Sequence, residues 1–235
     1  MPGQPQLPPD NRYRDWVERI ERIQVETTYL FWSRKLFRAV QKMFQTNQPL
    51  GACGGDAWRW LMGIYGRDAV MAIRRELDGQ AGVVNLFHLL HEMKEHAYIL
   101  TRARYYALFS GSLIPVRHME HDFARLGGPP GPGTLDDHIA PQVIAQDLET
   151  LRQKSDAAFS YAQRLVAHRT PAGEVPLTLD EIDEAIQAVF GCLRKYYLLL
   201  TAKNLVGATP VPQYDWLAPF RVPWAASTFE APQDE

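Results

Sequence analysis

The sequence predicts an all-α helical bundle of about five long helices with a Pro-rich aromatic C-terminal tail. Three observations carry this prediction. Apolar residues recur at helical spacing over several long stretches, a capping box opens the best defined of them, and no stretch shows the alternation of a strand.

The first helix is expected over 16–45, where Ile20, Ile23, Thr27, Leu30, Phe31, Leu36, Phe37, Val40 and Phe44 follow helical spacing, with the charged residues on the other side. A helix of about 30 residues is roughly 45 Å long. The Pro49–Gly55 run ends it. A second helix is expected over 56–77, with Trp58, Leu61, Tyr65, Ala69 and Ile73 on one stripe. A third is expected over 83–109, with a polar interior at 91–96 able to split it in two. Residues 110–137 contain Gly127-Gly128-Pro129-Pro130-Gly131-Pro132-Gly133, which reads as a flexible excursion.

A fourth helix is expected over 141–169, opened by Pro141 in its first turn and stopped by Thr170-Pro171. The fifth starts at the capping box Thr178-Leu179-Asp180-Glu181 and carries Ile182, Ala185, Ile186, Val189, Leu193, Tyr196 and Leu200. Gly207 is its expected stop. The tail beyond Pro210 holds Tyr214, Trp216, Phe220 and Trp224 and is expected to pack over the bundle. The organisation predicted is one helical domain over 12–226, with the insertion at 110–137, between disordered segments at 1–11 and 227–235.

Composition excludes several classes. The chain has 235 residues, 46% hydrophobic, with 25 Lys+Arg against 27 Asp+Glu. That is enough apolar material for a core and no basis for a strongly basic nucleic-acid coat, so any RNA contact has to be a local patch. Two cysteines, Cys53 and Cys192, are too few for a secreted disulfide scaffold. No apolar run approaches the roughly 20 residues that span a bilayer, and the Pro- and Gln-rich start lacks the apolar core of a secretion signal. A cytoplasmic protein without membrane partners is expected.

Seven histidines suggest metal chemistry, but the patterns fail. His91-Glu92-Met93-Lys94-Glu95 has Glu where a zinc protease needs its second His, and no His has Glu three residues before it, as di-iron bundles require. A looser site from His118, His121 and a distant carboxylate stays open, as does a role for the His88–His121 cluster. No cofactor is expected. Phosphate-loop and nucleophile-elbow patterns are absent.

The segment Tyr161-Ala162-Gln163-Arg164-Leu165-Val166-Ala167-His168-Arg169-Thr170 is the strongest chemical candidate. Arg164 and His168 are four apart and share a helix face. The helix end favours the imidazolium form of His168, and the charges of Arg164 and Arg169 oppose it. Metal-free RNA cleavage needs such a pair: His168 as acid or base, Arg164 on the scissile phosphate. Equally, His and Arg are ordinary last-turn residues that meet free carbonyls. Between Arg12 and Lys42 eight basic residues face four acidic ones. Of these, Arg34, Lys35 and Arg38 form a candidate RNA-facing strip, although a charge-rich helix face is commonly just solvated.

The block from Tyr161 to Thr170, followed by the helix from Thr178, resembles the HEPN superfamily of bacterial conflict systems. It is most similar to the abortive-infection, AbiU-type branch, whose penultimate helix ends in Ala-His-Arg, as in Ala167-His168-Arg169. The segments from Gly66 to Asp78 and from Asn85 to Glu92 are similar to the branch's second core helix and the part that follows. The resemblance implies an all-α bundle, a homodimer, and metal-independent endoribonuclease activity in phage defence or beside an antitoxin. It makes His168 the catalytic acid or base and Arg169 an RNA contact. Active members keep four to six residues between the Arg and the His. Here three separate Arg164 from His168, Gln163 and Ala162 stand where the family Arg falls, and Thr170 replaces a Tyr found in some toxins. A catalytically degenerate module that binds a nucleotide or partner protein is the alternative.

Overall fold

A computed structural model describes residues 9–46, 55–80, 82–167 and 177–206, with positions 214, 215 and 218. Its elements in chain order are α1 (Pro9–Thr46), α2 (Gly55–Leu77), α3 (Leu86–Glu95), a 3₁₀ turn (Ala97–Ile99), α4 (Arg102–Ala107), α5 (Val116–Arg125), α6 (Pro141–Tyr161), a π turn (Ala162–Ala167) and α7 (Leu179–Thr201). Among the described residues there is no strand, only an isolated bridge between Thr101 and His138. The all-α bundle is therefore as expected. No helix among them is long and apolar enough to cross a membrane.

The antiparallel pair α6–α7 forms the centre, with α1, α2 and α3 packed around it. Asp147 on α6 accepts from Lys195 at 2.6 Å and from the Tyr196 hydroxyl at 2.7 Å, both on α7. Burial pushes the Tyr196 phenol up, and the adjacent Asp147 charge adds to the shift, so Tyr196 stays a donor. Lys154 and Glu184 pair further along the same two helices. α1 runs antiparallel to α7 and is fixed near both of its ends. The Tyr13 hydroxyl donates to the Leu200 carbonyl at 2.8 Å, and Arg34 and Arg38 reach Asp183. Trp16, Ile20, Ile23 and Leu30 of α1 are buried in the core these contacts enclose.

The α2–α3 joint is polar and fully buried. The Asn85 side chain accepts from His88 N–H as the α3 cap and donates to the carbonyls of Arg75 and Asp78. One residue thus satisfies orphan groups at the end of one helix and the start of the next. Beside it, buried Glu76 accepts from Leu86 N–H.

Several expected boundaries move. α1 begins at Pro9, inside the segment expected to be disordered. The stretch 83–109 divides into α3, the 3₁₀ turn and α4: His96 leaves helical geometry, and Thr101 caps a fresh helix by accepting from Arg104 N–H. α7 ends at Thr201, six residues before Gly207, with Ala202 in the left-handed region at φ 57°. The stretch 110–137, expected to be a flexible excursion, contains α5, whose Met119 and Phe123 are buried. The Gly/Pro loop that follows α5 wraps the guanidinium of Arg102, which is 1% exposed. Arg102 donates to the Pro129 carbonyl at 2.7 Å, pairs with Asp137 at 3.4 Å, and lies over the Phe123 ring. The glycines there serve close approach. A Cβ on Gly128 would stand 2.1 Å from the Phe123 ring, and one on Gly133 would stand 1.8 Å from the Asp137 carboxylate.

Two predictions follow from these joints. Arg102→Ala removes the pivot of the 126–139 loop, and its expected cost is about 3 kcal/mol, given what breaking a buried charge pair removes. Urea titration checks the cost, and faster amide exchange confined first to 126–139 checks its location. For Glu76, burial lifts the carboxyl to about 7, against the lowering effect of the Leu86 N–H bond. The protonated form is favoured in the fold, so its contribution is complete below the unfolded value and is lost as pH rises through about 7. Wild type should therefore lose about 1–3 kcal/mol relative to Glu76→Gln between pH 4.5 and 7, and no more above it; parallel melts across that range measure the difference.

Candidate functional site

The sequence places its candidate residues, Arg164, His168 and Arg169, toward the end of α6. The α-helix stops at Tyr161 and continues as a π turn through Ala162–Ala167, within the stretch expected to be α-helical. A π turn bonds each N–H one residue further back than an α turn and widens the helix. Ala162 remains buried, and the turn packs on α2 as well as on α6. Arg164 lies on this turn with its side chain exposed, and its Nε is 3.4 Å from the Ser160 carbonyl. His168 and Arg169 lie outside the described residues.

The expected basic strip on α1 divides in space. Arg34 Nε donates to Asp183 at 2.8 Å, and Arg38 makes a close ion pair with the other oxygen of the same carboxylate. Burial alone would raise the Asp183 carboxyl; the hydrogen bonds and charges of the two guanidinium groups outweigh it and hold the group below its ordinary range. Lys35 points to solvent, with its ammonium 5.3 Å from the centre of the Trp32 ring. At 100° per residue, Arg34 and Arg38 fall on the core side of α1 and Lys35 on the flank.

The histidines do not converge. His88 Nε2 is 2.9 Å from the Gln80 carbonyl, and the His91 ring lies tilted against Phe87 with centroids 4.6 Å apart, where burial and the nearby Lys94 lower its pKa. His118 and His121 are exposed on α5. Among the described residues, no group of three His, Cys, Asp or Glu side chains is placed to hold a metal.

The sequence reading missed a groove of about 450 Å³ between α6 and α7. Leu151, Ala188 and Cys192 give it apolar walls, and Asp147, Lys195, Lys154 and Glu184 rim it with charges already paired across the two helices. Burial pushes the Cys192 thiol up to about 12, so it is a neutral thiol at neutral pH. The groove thus has no activated nucleophile and no unpaired acid–base couple. Its only sequence signal was the apolar stripe of α7; which helix would face that stripe is not written in local spacing.

These residues define an all-α helical bundle whose exposed chemical candidate is the π turn at the end of α6. No family model, no curated protein and no solved structure matches the chain.

The divided strip generates a test of its own. Arg38→Glu sets a carboxylate against Asp183 and should cost about 1–2 kcal/mol, a range already reduced for the partial solvent screening of this pair. Lys35→Glu should leave the melting temperature unchanged. Equal loss from both substitutions would contradict the assignment.

Proposed function

We propose that the chain is a HEPN-type effector of bacterial anti-phage defence, or of a toxin–antitoxin pair, that cuts RNA without a metal ion. The observation that carries this reading is the exposed Arg164 on the π turn, four residues before His168 in the segment that resembles the family. π turns recur at functional sites, where the wider turn re-aims side chains. In the reaction, the 2′-hydroxyl attacks the adjacent phosphorus and the 5′-oxygen leaves. His168 takes the proton from the 2′-hydroxyl or gives one to the leaving 5′-oxygen, solvent water exchanges the other, and Arg164 offsets the charge that gathers on the phosphate. Arg169 and Lys35 contribute attraction for the RNA backbone. A homodimer and an antitoxin or other defence-system protein are the partners of this reading.

A second reading is a catalytically degenerate module that binds a nucleotide or a partner protein. The engagement of Arg34 and Arg38 with Asp183 favours it, because it withdraws two cations from an RNA-facing strip.

Purified protein incubated with RNA in excess chelator separates the two. The first reading expects cleavage that falls about 10²-fold or more in His168→Ala, as loss of a positioned acid–base group does, with a smaller fall in Arg164→Ala. Cleavage indifferent to His168→Ala removes that residue's role, and a wild type that melts cooperatively yet cuts no RNA and arrests no growth favours the second.

A further inference from the structure

We propose that the turn between α4 and α5, with the outer face of α5 behind it, forms a peripheral contact with an anionic lipid surface. The turn carries Leu113-Ile114-Pro115-Val116, four consecutive apolar residues. Leu113 is 100% exposed, Val116 54% and Ile114 44%, a contiguous apolar tip of the kind that marks an interaction surface. Its shape is fixed without burying it. Gly111 takes the left-handed conformation at φ 80°, and the Ser112 N–H donates to the Phe109 carbonyl at 2.9 Å. The Phe109 ring in turn packs edge-on against buried Tyr105, with centroids 5.3 Å apart. Leu113 is thus held out from the bundle on an anchored turn, which loses little freedom on meeting a surface.

α5 continues directly from this tip and is two-sided. Met119 and Phe123 face the core. At 100° per residue, Arg117, His118, His121 and Arg125 gather on the opposite side, all exposed and with no carboxylate among them. Glu120 and Asp122 sit half-buried at the two borders of that side, Asp122 as the partner of Arg125 at 3.7 Å. Among the described residues Arg117, next to the tip, has no ion-pair partner. Tip and cations together select the occupant. The phosphates of a nucleic acid suit the arginines and offer nothing to Leu113. A bilayer interface offers both, an acyl boundary for the apolar tip and anionic headgroups for the cations behind it. Apolar insertion and basic attraction are each marginal alone and hold a protein at a membrane in combination. The expectation of no membrane partner concerns spanning and signal segments, which are long; a tip of four residues escapes that measure. The contact uses nothing from the ribonuclease reading, so each can fail without the other.

Co-sedimentation of the full chain with vesicles tests the proposal, with phosphatidylcholine alone compared against an equal mixture of phosphatidylcholine and phosphatidylglycerol. Wild type should bind the mixed vesicles, and binding should fall in raised salt and on phosphatidylcholine alone. Leu113→Asp and Arg117→Glu should each weaken that binding about 10-fold or more. Both side chains are exposed, so the melting temperature should stay as in wild type. Leu113→Trp should keep or strengthen binding, because the indole suits the interface. A wild type that stays in the supernatant with mixed vesicles overturns the proposal. Binding that neither Leu113→Asp nor Arg117→Glu weakens overturns it as well, since another part of the chain then makes the contact. Retention on immobilised RNA that falls in Arg117→Glu and not in Leu113→Asp, without vesicle binding, assigns the face to nucleic acid and overturns it too.

Discussion

The bundle depends on the antiparallel contact of α6 with α7, and that contact turns on one carboxylate. Asp147 accepts from Lys195 and Tyr196, neighbours on α7 that are fixed together in register by this shared acceptor. Hydrophobic burial alone would allow two apolar stripes to slide, since it is non-directional and scales with area. A carboxylate with two donors removes that freedom, because a shift by one helical turn leaves both donors without a partner. Once α7 is set, the positions of Asp183 and Leu200 are set, and with them the two fixed points of α1. The π turn inherits its place from the same pair, as the continuation of α6.

Around this centre the joints between helices are made of buried or half-buried polar side chains with several partners each. Asn85 closes the α2–α3 corner, Arg102 holds the Gly/Pro loop against α5, and Glu92 accepts from Arg12 and Arg19 of α1. In each case one side chain satisfies groups from separate segments, so a corner that would cost several desolvated backbone groups becomes a contact. Glu76 is the exception. It has one backbone partner and deep burial, which is why its carboxyl sits high while that of Glu92, despite the upward push of its own burial, is held low by two guanidinium groups. The same residue type lands on opposite sides of its ordinary value according to whether a cation reaches it.

How far the sequence revealed this follows from the range of each interaction. The fold class and the start of α7 were legible because helical periodicity and the Thr178 capping box are local, and the structure realises both reciprocal capping bonds. The role of Asp183 was not: it reads as a favourable first-turn charge, whereas its guanidinium partners lie 145 and 149 residues away. The Gly127–Gly133 run was ambiguous in kind, since glycine supplies chain freedom and close approach alike, and only Phe123 and Asp137 beside it decide between them. α5 was hidden because it buries only Met119 and Phe123 amid polar residues. The π turn was hidden because Ala-Gln-Arg-Leu-Val-Ala is ordinary helical sequence, and no local propensity distinguishes the wider turn. At the candidate site, the pattern put Arg164 in the last turns of an α-helix reaching Arg169, whereas the α-helix stops at Tyr161 and Arg164 lies on the π turn beyond it.

The charge arithmetic of α1 changes meaning once distance replaces sequence order. Eight basic residues between Arg12 and Lys42 look like a cationic stripe beside four acidic ones. In space, Arg12 and Arg19 belong to Glu92, Arg34 and Arg38 to Asp183, and Arg22 to Glu26. Arg14, Lys35 and Lys42 remain exposed on α1 outside these pairs. A polyanion approaching the helix meets three cations there, and its attraction scales with the phosphates those three can neutralise. Excess basic charge along a helix is thus two different things: the part that faces the bundle is structural and already spent on carboxylates, and the part that faces water sets what the surface attracts. Lys35 and Lys42 lie beside the exposed side chains of Val25, Tyr29 and Leu36 on the outer side of α1. Electrostatic attraction is thus a local property of the helix flank, compatible with a chain whose overall charge is close to neutral.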